Sequence, residues 1–260
     1  MKKTIHYCWF GGNPLPQSAI RCIDSWKKNC PDYEIKEWNE RNFDVNSCSY
    51  SQEAYGAKKW AFVSDYARFK ILYEEGGIYF DTDVELIRPI DDIVELGAFM
   101  GNETTGRINV APGLGIGAER HMWFLNDIIK EYEKKHFVLN DGMLDQTTVV
   151  ELTTKMLEKH GLRVTETVQC IAGFNIYPSE YFCPFNFQTK ELQITSNTRS
   201  IHHYDSSWYG ERELHSQIVK ERLSRFLPNR SAGHLAAFIT RLKFDGIEKT
   251  VKSYRNSLRK

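Results

Sequence analysis

The sequence predicts an α/β fold in which a mixed sheet with a Rossmann-like beginning is flanked by helices. Three consecutive segments support this prediction. Thr4–Phe10 is rich in β-branched and aromatic residues, which is typical of a strand. Ser18–Asn29 has apolar residues at helical spacing, with Ile20, Ile23 and Trp26 on one side. Glu34–Trp38 alternates like a second strand. Strand, helix and strand in this order predict a parallel pair.

A third predicted strand, which follows a second predicted helix, ends in carboxylates. Ala61–Glu75 has the pattern of a helix, and Gly76 and Gly77 are expected to end it. The apolar segment Ile78–Val84 follows and indicates a strand. The remaining predictions are loops with a short strand at 102–117, helices at Met122–Lys135 and Asp145–His160, a loop at Ser200–Trp208, and a helical tail from Glu211 that is broken near Pro228.

Charge is distributed unevenly along the chain. The 260 residues have a formal net charge of zero, which gives no indication of a nucleic-acid partner. Residues 211–260, however, carry twelve Lys or Arg residues and five Asp or Glu residues. We therefore expect a catalytic body at residues 1–228 and a basic amphipathic helical tail at residues 229–260. The tail is a candidate for contact with an anionic membrane surface, with packing or dimerisation as the alternative.

Cysteine spacing and hydropathy indicate the compartment. The six cysteines contain no C-x-x-C pair, and we expect reduced thiols, many of them buried. The apolar run behind Met1 is short and ends at Gly11, which leaves no room for the apolar part of a signal peptide. No apolar stretch approaches the ~20 residues that a membrane-spanning helix needs. We expect a cytoplasmic protein that can be peripheral at the inner face of the membrane.

The strongest chemical signal is the pair Asp81 and Asp83 after the apolar segment. On a strand, residues i and i+2 face the same side, so the two carboxylates are expected to converge at the carboxyl end of the strand. Adjacent negative charges favour a divalent cation, and carboxylate oxygens suit Mg²⁺ or Mn²⁺. An Asp-x-Asp sequence also occurs by chance at solvated strand ends, which is the alternative interpretation.

Three further groups are candidates, each with a structural alternative. Ser64, Asp65 and Arg68 lie on one helix surface, either as an exposed ion pair or as groups that bind a sugar and a phosphate. Trp9 follows the first strand and is either a core residue or a wall that stacks on a nucleobase. His202 is either a metal ligand or a hydrogen-bonded structural histidine. Because side chains alternate along a strand, the next residue, His203, is expected to face the opposite way.

Two other classes of protein share part of this pattern. Phosphatases of the haloacid dehalogenase type also have an Asp-x-Asp at a strand end, but a Thr or Val is expected where Glu85 stands. A non-catalytic nucleotide-binding scaffold is the second alternative. Because both acids, Arg68 and Trp9 are present, the sequence shows no loss of the catalytic groups.

Several segments together resemble glycosyltransferase family 32, the Asp-x-Asp sugar transferases that include capsular and exopolysaccharide enzymes. The pattern is also similar to the glucosyltransferase domains of large clostridial toxins. The resemblance covers roughly residues 3–210 and depends most on the first three of five segments. These are IHYCWFGG at 5–12, S-D-x-x-R at 64–68, EGGIYFDTD at 75–83, IYPSEYF at 176–182, and H-x-x-x-x-S-W at 202–208.

The resemblance implies a GT-A fold, a nucleotide-sugar donor, Mn²⁺ or Mg²⁺, and retention of anomeric configuration. The resemblance does not identify the sugar, the base or the acceptor. We favour a UDP-sugar as donor and a lipid-linked oligosaccharide at the inner membrane face as acceptor. The implied metal site is Asp81 through water, Asp83 directly, and His202. The implied donor-site residues are Trp9 and Tyr7 near the base, Asp81 at the ribose, Ser64, Asp65 and Arg68 at the sugar, Tyr79 beside them, and Ser207 and Trp208 on a closing loop.

Overall fold

A computed structural model describes residues 1–186, 191–204, 211–224 and 226–257. The chain divides into two compact units, Met1–Asp205 and Ser206–Lys260. The boundary that we predicted from the sequence, between residues 228 and 229, stays a prediction.

The first unit is built on a seven-stranded mixed sheet. The strands of this unit, inside and outside that sheet, are β1 (Thr4–Cys8), β2 (Glu34–Trp38), β3 (Gly77–Tyr79), β4 (Val84–Leu86), β5 (Phe99–Gly101), β6 (Ile116–Ala118), β7 (Gln169–Ile171), β8 (Phe174–Tyr177), β9 (Phe185–Asn186), β10 (Glu191–Leu192) and β11 (Ser200–His202). The order in the seven-stranded sheet is β2-β1-β3-β6-β5-β8-β7. β1 pairs in parallel with β2 and β3, and β5 pairs in parallel with β8. β6 lies antiparallel between β3 and β5.

Helices cover both faces of this sheet, which confirms the predicted α/β class. The described helices of the chain are α1 (Gln17–Asn29), α2 (Ser49–Gly56), α3 (Trp60–Glu75), α4 (Asp91–Glu95), α5 (Trp123–Glu133), α6 (Val149–Glu158), α7 (Ser179–Phe182), α8 (Glu211–Ser224) and α9 (Asn229–Ser257). The buried apolar residues form two clusters, one that includes α3, α5 and α6 and one that includes α1 and α4.

Three local predictions are wrong. The strand predicted over Ile78–Val84 ends at Tyr79, because a turn closed by the Val84 N–H and the Asp81 carbonyl interrupts it. The start of the segment predicted as a loop at Ser200–Trp208 is strand β11, because it pairs with β4. Ile20 was placed with the apolar side of α1, but its side chain is 37% exposed.

Strand direction places Trp9, Asp81 and Glu103 at one edge of the sheet. β1, β3, β5 and β8 all run the same way, since β6 is antiparallel to both of its neighbours. Their carboxyl ends therefore lie at the same edge. Trp9 follows β1 there, and Asp81 and Glu103 follow β3 and β5 within two residues. This edge is where open α/β sheets bind ligands.

Two glycines permit the turn that leads from α3 into β3. Gly76 and Gly77 have φ of +64° and +104°, which is a backbone region that favours glycine. A Cβ at Gly77 would lie 2.7 Å from the carbonyl oxygen of Thr4. The chain can therefore turn directly from the helix into the centre of the sheet, beside β1.

The second unit contains α8 and α9, with a break at Pro228 as predicted. α9 buries the small side chains of Ala232, Ala236 and Thr240 and contains a non-helical glycine, Gly246. Among the described residues, no helix has the length and apolar content that crossing a bilayer requires.

Candidate active site

Asp81 and Asp83 lie in the turn between β3 and β4. The turn is closed by a 3.1 Å hydrogen bond from the Val84 N–H to the Asp81 carbonyl. The two carboxylates therefore do not share one strand face, as alternation along a strand predicted. Asp81 contacts groups of α3 and β3, whereas Asp83 contacts β11.

Asp81 is held by a hydroxyl, a guanidinium and a close backbone contact. The Tyr79 hydroxyl donates to Asp81 Oδ1 at 2.9 Å, and Arg68 Nη2 lies 3.2 Å from the same oxygen. The Asp81 N–H donates to the carbonyl of Gly113. A Cβ on Gly113 would collide with Asp81 Oδ2, so only glycine fits there. Sequence reasoning missed Gly113, because its requirement arises from the contact of the turn Pro112–Leu114 with Asp81, which is distant from that turn in sequence.

Arg68 lies in the core of the protein and not on its surface. Its side chain is 3% exposed, and Nη2 donates to Asp65 Oδ1 at 2.8 Å. The Arg68 Nε donates to the Ser64 carbonyl, and the Ser64 hydroxyl donates to the Trp60 carbonyl. The interpretation as an exposed ion pair is therefore excluded. Within the described residues, Arg68 Nη1 is buried without a hydrogen-bond partner.

The buried pair of Asp65 and Arg68, with the partly exposed Asp81 beside it, has shifted pKa values at Asp65 and Arg68. Burial raises the pKa of Asp65 to about 7; the Arg68 charge opposes this rise, and the Asp81 charge adds to it. Burial alone would lower the pKa of Arg68, but Asp81, Tyr79 and Asp65 together raise it. One guanidinium thus offsets two acids, and its spare N–H can bind an anionic ligand.

Asp83 and His202 meet because β11 pairs with β4. His202 lies opposite Val84 in the ladder, and its Nε2 is 3.1 Å from Asp83 Oδ1. The next histidine, His203, faces the other way and lies 2.8 Å from Glu85. The His203–Glu85 pair is exposed, whereas the side chains of Asp83 and His202 are only 12% and 14% exposed.

His202 retains unused binding capacity. Burial lowers its pKa, but the hydrogen bond and charge of Asp83 outweigh burial and raise the pKa above its usual value. Its ring lies 4.0 Å from that of Tyr204, measured between centroids. In the described part of the chain, His202 Nδ1 is buried and has no hydrogen-bond partner.

Asp83 and His202 fit a divalent cation. Two ligands at right angles, each about 2.1 Å from one octahedral ion, are about 3 Å apart, as Asp83 Oδ1 and His202 Nε2 are here. Carboxylate and imidazole suit Mn²⁺. Asp81 belongs to the Arg68 side of the turn, and the described residues contain no group of three His, Cys, Asp or Glu side chains that could hold a metal ion.

The remaining sequence candidates lie at different places. Trp9 is partly buried, and its indole N–H donates to the Asn13 carbonyl at 2.6 Å. Tyr7 is buried in the core, where its hydroxyl donates to Glu37. Ser207 and Trp208 lie outside the described residues.

Residues 16–99 match the protein family described as "Glycosyltransferase sugar-binding region containing DXD motif". The match includes α3 and the turn with both acids, and it spans about a third of the chain. The chain is also similar to "Subversion of eukaryotic traffic protein A" of Legionella pneumophila, with 26% identity over 117 residues. That alignment covers 35% of this chain and only 18% of the Legionella protein.

Three solved glycosyltransferase structures show low similarity. The PaToxG glycosyltransferase has a TM-score of 0.40 and 18% identity, over 61% of this chain and 69% of that one. A glycosyltransferase involved in glycosylation of the major capsid of PBCV-1 has a TM-score of 0.44 and 11% identity, over 83% of this chain and 99% of that one. The galactosyltransferase LgtC, in complex with donor and acceptor sugar analogues, has a TM-score of 0.41 and 12% identity, over 90% of this chain and 95% of that one.

The narrower resemblance to family 32 and to the clostridial toxins stays a prediction. The matched region contains the Asp-x-Asp sequence of residues 81–83. Residues 16–99 are thus similar to the sugar-binding region of glycosyltransferases.

Proposed function

We propose that this protein transfers a hexose or an N-acetylhexosamine from a nucleotide sugar, with UDP as the favoured nucleotide, to a glycan acceptor. The observation that carries the proposal is the 3.1 Å approach of His202 to Asp83 at the end of the matched motif. Two distant parts of the sequence thereby form one polar site at the ligand-binding edge of the sheet. Donor, nucleotide and acceptor are parts of the proposal.

Asp83 and His202 would hold a divalent cation, Mn²⁺ or Mg²⁺, with Asp81 beside it. When bound, such an ion neutralises charge on a diphosphate leaving group. Arg68 provides a second, permanent positive charge, and its free Nη1 can donate to a phosphate or a sugar hydroxyl. Asp65, fixed by Arg68, can accept a hydrogen bond from the donor sugar. We expect retention of configuration by front-face attack, with a diphosphate oxygen accepting the acceptor proton.

The proposal is tested by incubating the full-length protein with a panel of nucleotide sugars and Mn²⁺. UDP-glucose, UDP-galactose and UDP-N-acetylhexosamines are the first donors to measure, with release of UDP as the readout. We expect slow release from at least one of them, abolition by EDTA, and recovery when Mn²⁺ is added back. Full activity in metal-free protein would show that the Asp-x-Asp assignment is wrong, and UDP binding without any turnover would favour a scaffold.

Trp9 is proposed to form one wall of the base pocket. Stacking of a base on an aromatic ring contributes roughly 1–3 kcal/mol in nucleic-acid complexes, so Trp9→Ala should weaken UDP binding by about tenfold to a hundredfold. Calorimetric titration with UDP and Mn²⁺ measures this. Trp123→Ala, a half-exposed tryptophan on α5, is the matched control and should bind like the parent protein. If Trp9→Ala and Trp123→Ala bound UDP with equal affinity, Trp9 would have a structural role and would not contact the base.

We further propose a role in capsule, exopolysaccharide or other cell-surface polysaccharide synthesis, with a lipid-linked acceptor at the membrane. Support comes from α9, which exposes Arg241 and Lys243 together with the apolar Leu235 and Ile247. Basic and apolar groups on one helix suit an anionic bilayer surface.

The membrane contact predicts co-sedimentation with anionic vesicles at low salt and none with neutral vesicles. The double variant Arg241→Glu/Lys243→Glu should lose most of this binding, because each basic residue contributes about 1 kcal/mol near such a surface. The same change to Glu at two other exposed lysines, Lys130 on α5 and Lys134 directly after it, is the control and should leave vesicle binding unchanged. Intact protein that stays in the supernatant with every vesicle type would contradict the membrane proposal.

A further inference from the structure

Glu103 lies at the ligand-binding edge of the sheet, although no motif contains it. It follows β5 by two residues, and β5 runs parallel to β3, which Asp81 follows. An isolated bridge between Asn102 and Val110 and a 2.9 Å hydrogen bond from the Glu103 N–H to the Asn109 carbonyl continue the strand direction beyond β5. The backbone position of Glu103 is therefore fixed by the sheet.

The loop that follows does not use the Glu103 carboxylate. The Asn102 side-chain amide donates to the carbonyls of Thr104 and Arg107, and its oxygen accepts from the Asn109 N–H. These bonds close the loop over residues 102–109. Within the described residues, the carboxylate of Glu103 has no hydrogen-bond or salt-bridge partner, although its side chain is partly buried.

The surroundings of Glu103 are those of the active site. Its charge acts on His202, on Tyr204, whose ring packs against that of His202, and on Cys183, whose sulfur lies 3.0 Å from the Tyr204 hydroxyl. Burial raises the pKa of Glu103, and the nearby His202 opposes this rise. A partly buried acid without a partner is unfavourable in the free protein unless a ligand group completes it.

We propose that Glu103 is a fourth acid of the active site, beside Asp65, Asp81 and Asp83, and that it accepts a hydrogen bond from a hydroxyl group of a bound sugar. The inference depends on the proposed function and adds to it a substrate contact on the His202 side of the site. The hydroxyl belongs either to the sugar that is transferred or to the acceptor sugar. Both present the same donor to the carboxylate, and a carboxylate is the strongest acceptor that a side chain offers.

The test compares Glu103→Gln, Glu103→Asp and the parent protein in three assays. The assays are calorimetric binding of UDP with Mn²⁺, hydrolysis of UDP-glucose and UDP-galactose without acceptor, and transfer to a panel of methyl glycosides. UDP has no sugar beyond its ribose, so we expect unchanged UDP affinity in both variants. Glu103→Gln should raise a KM by about tenfold or more, which is the loss of one hydrogen bond to a charged group. Glu103→Asp keeps the charge and should have an intermediate effect.

The assay in which KM rises identifies the source of the hydroxyl. A higher KM for the nucleotide sugar in hydrolysis assigns Glu103 to the transferred sugar. Unchanged hydrolysis with a higher KM for the methyl glycoside assigns it to the acceptor. Glu95→Gln, an exposed acid on α4, is the matched control and should leave every value unchanged.

Two results separate the failure of this inference from the failure of the proposed function. If Glu103→Gln has the thermal stability, UDP affinity and KM values of the parent, Glu103 is not a substrate contact, and the transferase proposal stands. If the parent protein neither binds UDP nor releases it from any donor, the proposed function fails, and the inference fails with it. Should Glu103→Gln not fold, the same comparison is made with Glu103→Asp.

Discussion

Asp83→Asn is expected to lower nucleotide-sugar turnover by about a hundredfold to a thousandfold while the protein stays folded. The amide has the shape of the carboxylate, but it lacks the negative charge that would bind a cation and attract His202. Losses of this size are typical when one group that stabilises transition-state charge is removed. Release of UDP at saturating donor measures the effect, and a thermal melt of the same sample shows that the fold is retained.

The structure supplies a control pair two residues after Asp83 and one residue after His202. Glu85 and His203 form the same kind of acid–histidine contact at 2.8 Å, but on the opposite, exposed side of the β4–β11 ladder. Glu85→Gln should therefore change turnover by less than about twofold, as expected for an exposed pair. His202→Ala should raise the Mn²⁺ concentration needed for half activity, whereas His203→Ala should not. Equal losses from the two acid variants would show that the Asp83 site has no special role.

His6 is expected to make the fold sensitive to mild acid. Its side chain is fully buried in β1, Nδ1 accepts the Trp38 indole N–H at 3.0 Å, and Nε2 contacts the Gly76 carbonyl at 2.9 Å. An indole N–H can only donate, so Nδ1 carries no proton, and the ring is neutral with its proton on Nε2. Burial lowers the pKa of His6 to about 4, although the Gly76 contact opposes this; Lys36 and Lys2 add to the lowering, and Glu75 opposes it.

The sign of the pH effect follows from this lowered pKa. Between pH 6.5 and about 4, the unfolded chain binds a proton at His6 that the native protein does not bind. The free energy of unfolding should therefore fall as the pH falls through this range, by up to ~3 kcal/mol at 1.36 kcal/mol per pKa unit. This contribution is fully present above pH 6.5 and is lost toward pH 4.

Urea unfolding at pH 7, 6, 5 and 4 measures the effect. His6→Gln should be less stable at pH 7, because two buried hydrogen bonds change, but it should lose stability with acid less steeply than the parent. His136→Gln removes an exposed histidine that pairs with Glu53, and it should keep the steep slope of the parent. If the free energy of unfolding fell equally steeply with pH in the parent and in His6→Gln, His6 would not be the source of the acid sensitivity.

The order of the first elements could be predicted because local patterns determine them. β1, α1, β2 and α3 all coincide with apolar periodicity, and glycines mark the end of α3. α2 was missed, since its sequence, SYSQEAYG, has little apolar periodicity and the helix is fixed by packing on α3. β11 was missed because only its partner β4, over a hundred residues earlier, makes it a strand.

The site itself was predictable as a set of residues but not as an arrangement. The motif indicated Asp81 and Asp83, whereas the turn that directs them to different partners depends on the hydrogen bond that Val84 donates. The burial of Arg68 also depends on long-range packing. Glu103 carried a signal that could have been used: like Asp81, it follows a short apolar strand by two residues.

The burial of Arg68 affects how inactive variants can be interpreted. Removing a buried guanidinium leaves Asp65 and Asp81 without their counter-charge, which typically costs 3–5 kcal/mol of folding free energy. A loss of activity at Arg68 in a genetic screen would thus combine low protein abundance with lost chemistry, and the two causes could not be separated from the phenotype. Asp83→Asn leaves no permanent charge without its counter-charge, because the partner His202 can be neutral. The two positions therefore differ in how directly an observed phenotype can be attributed to the reaction.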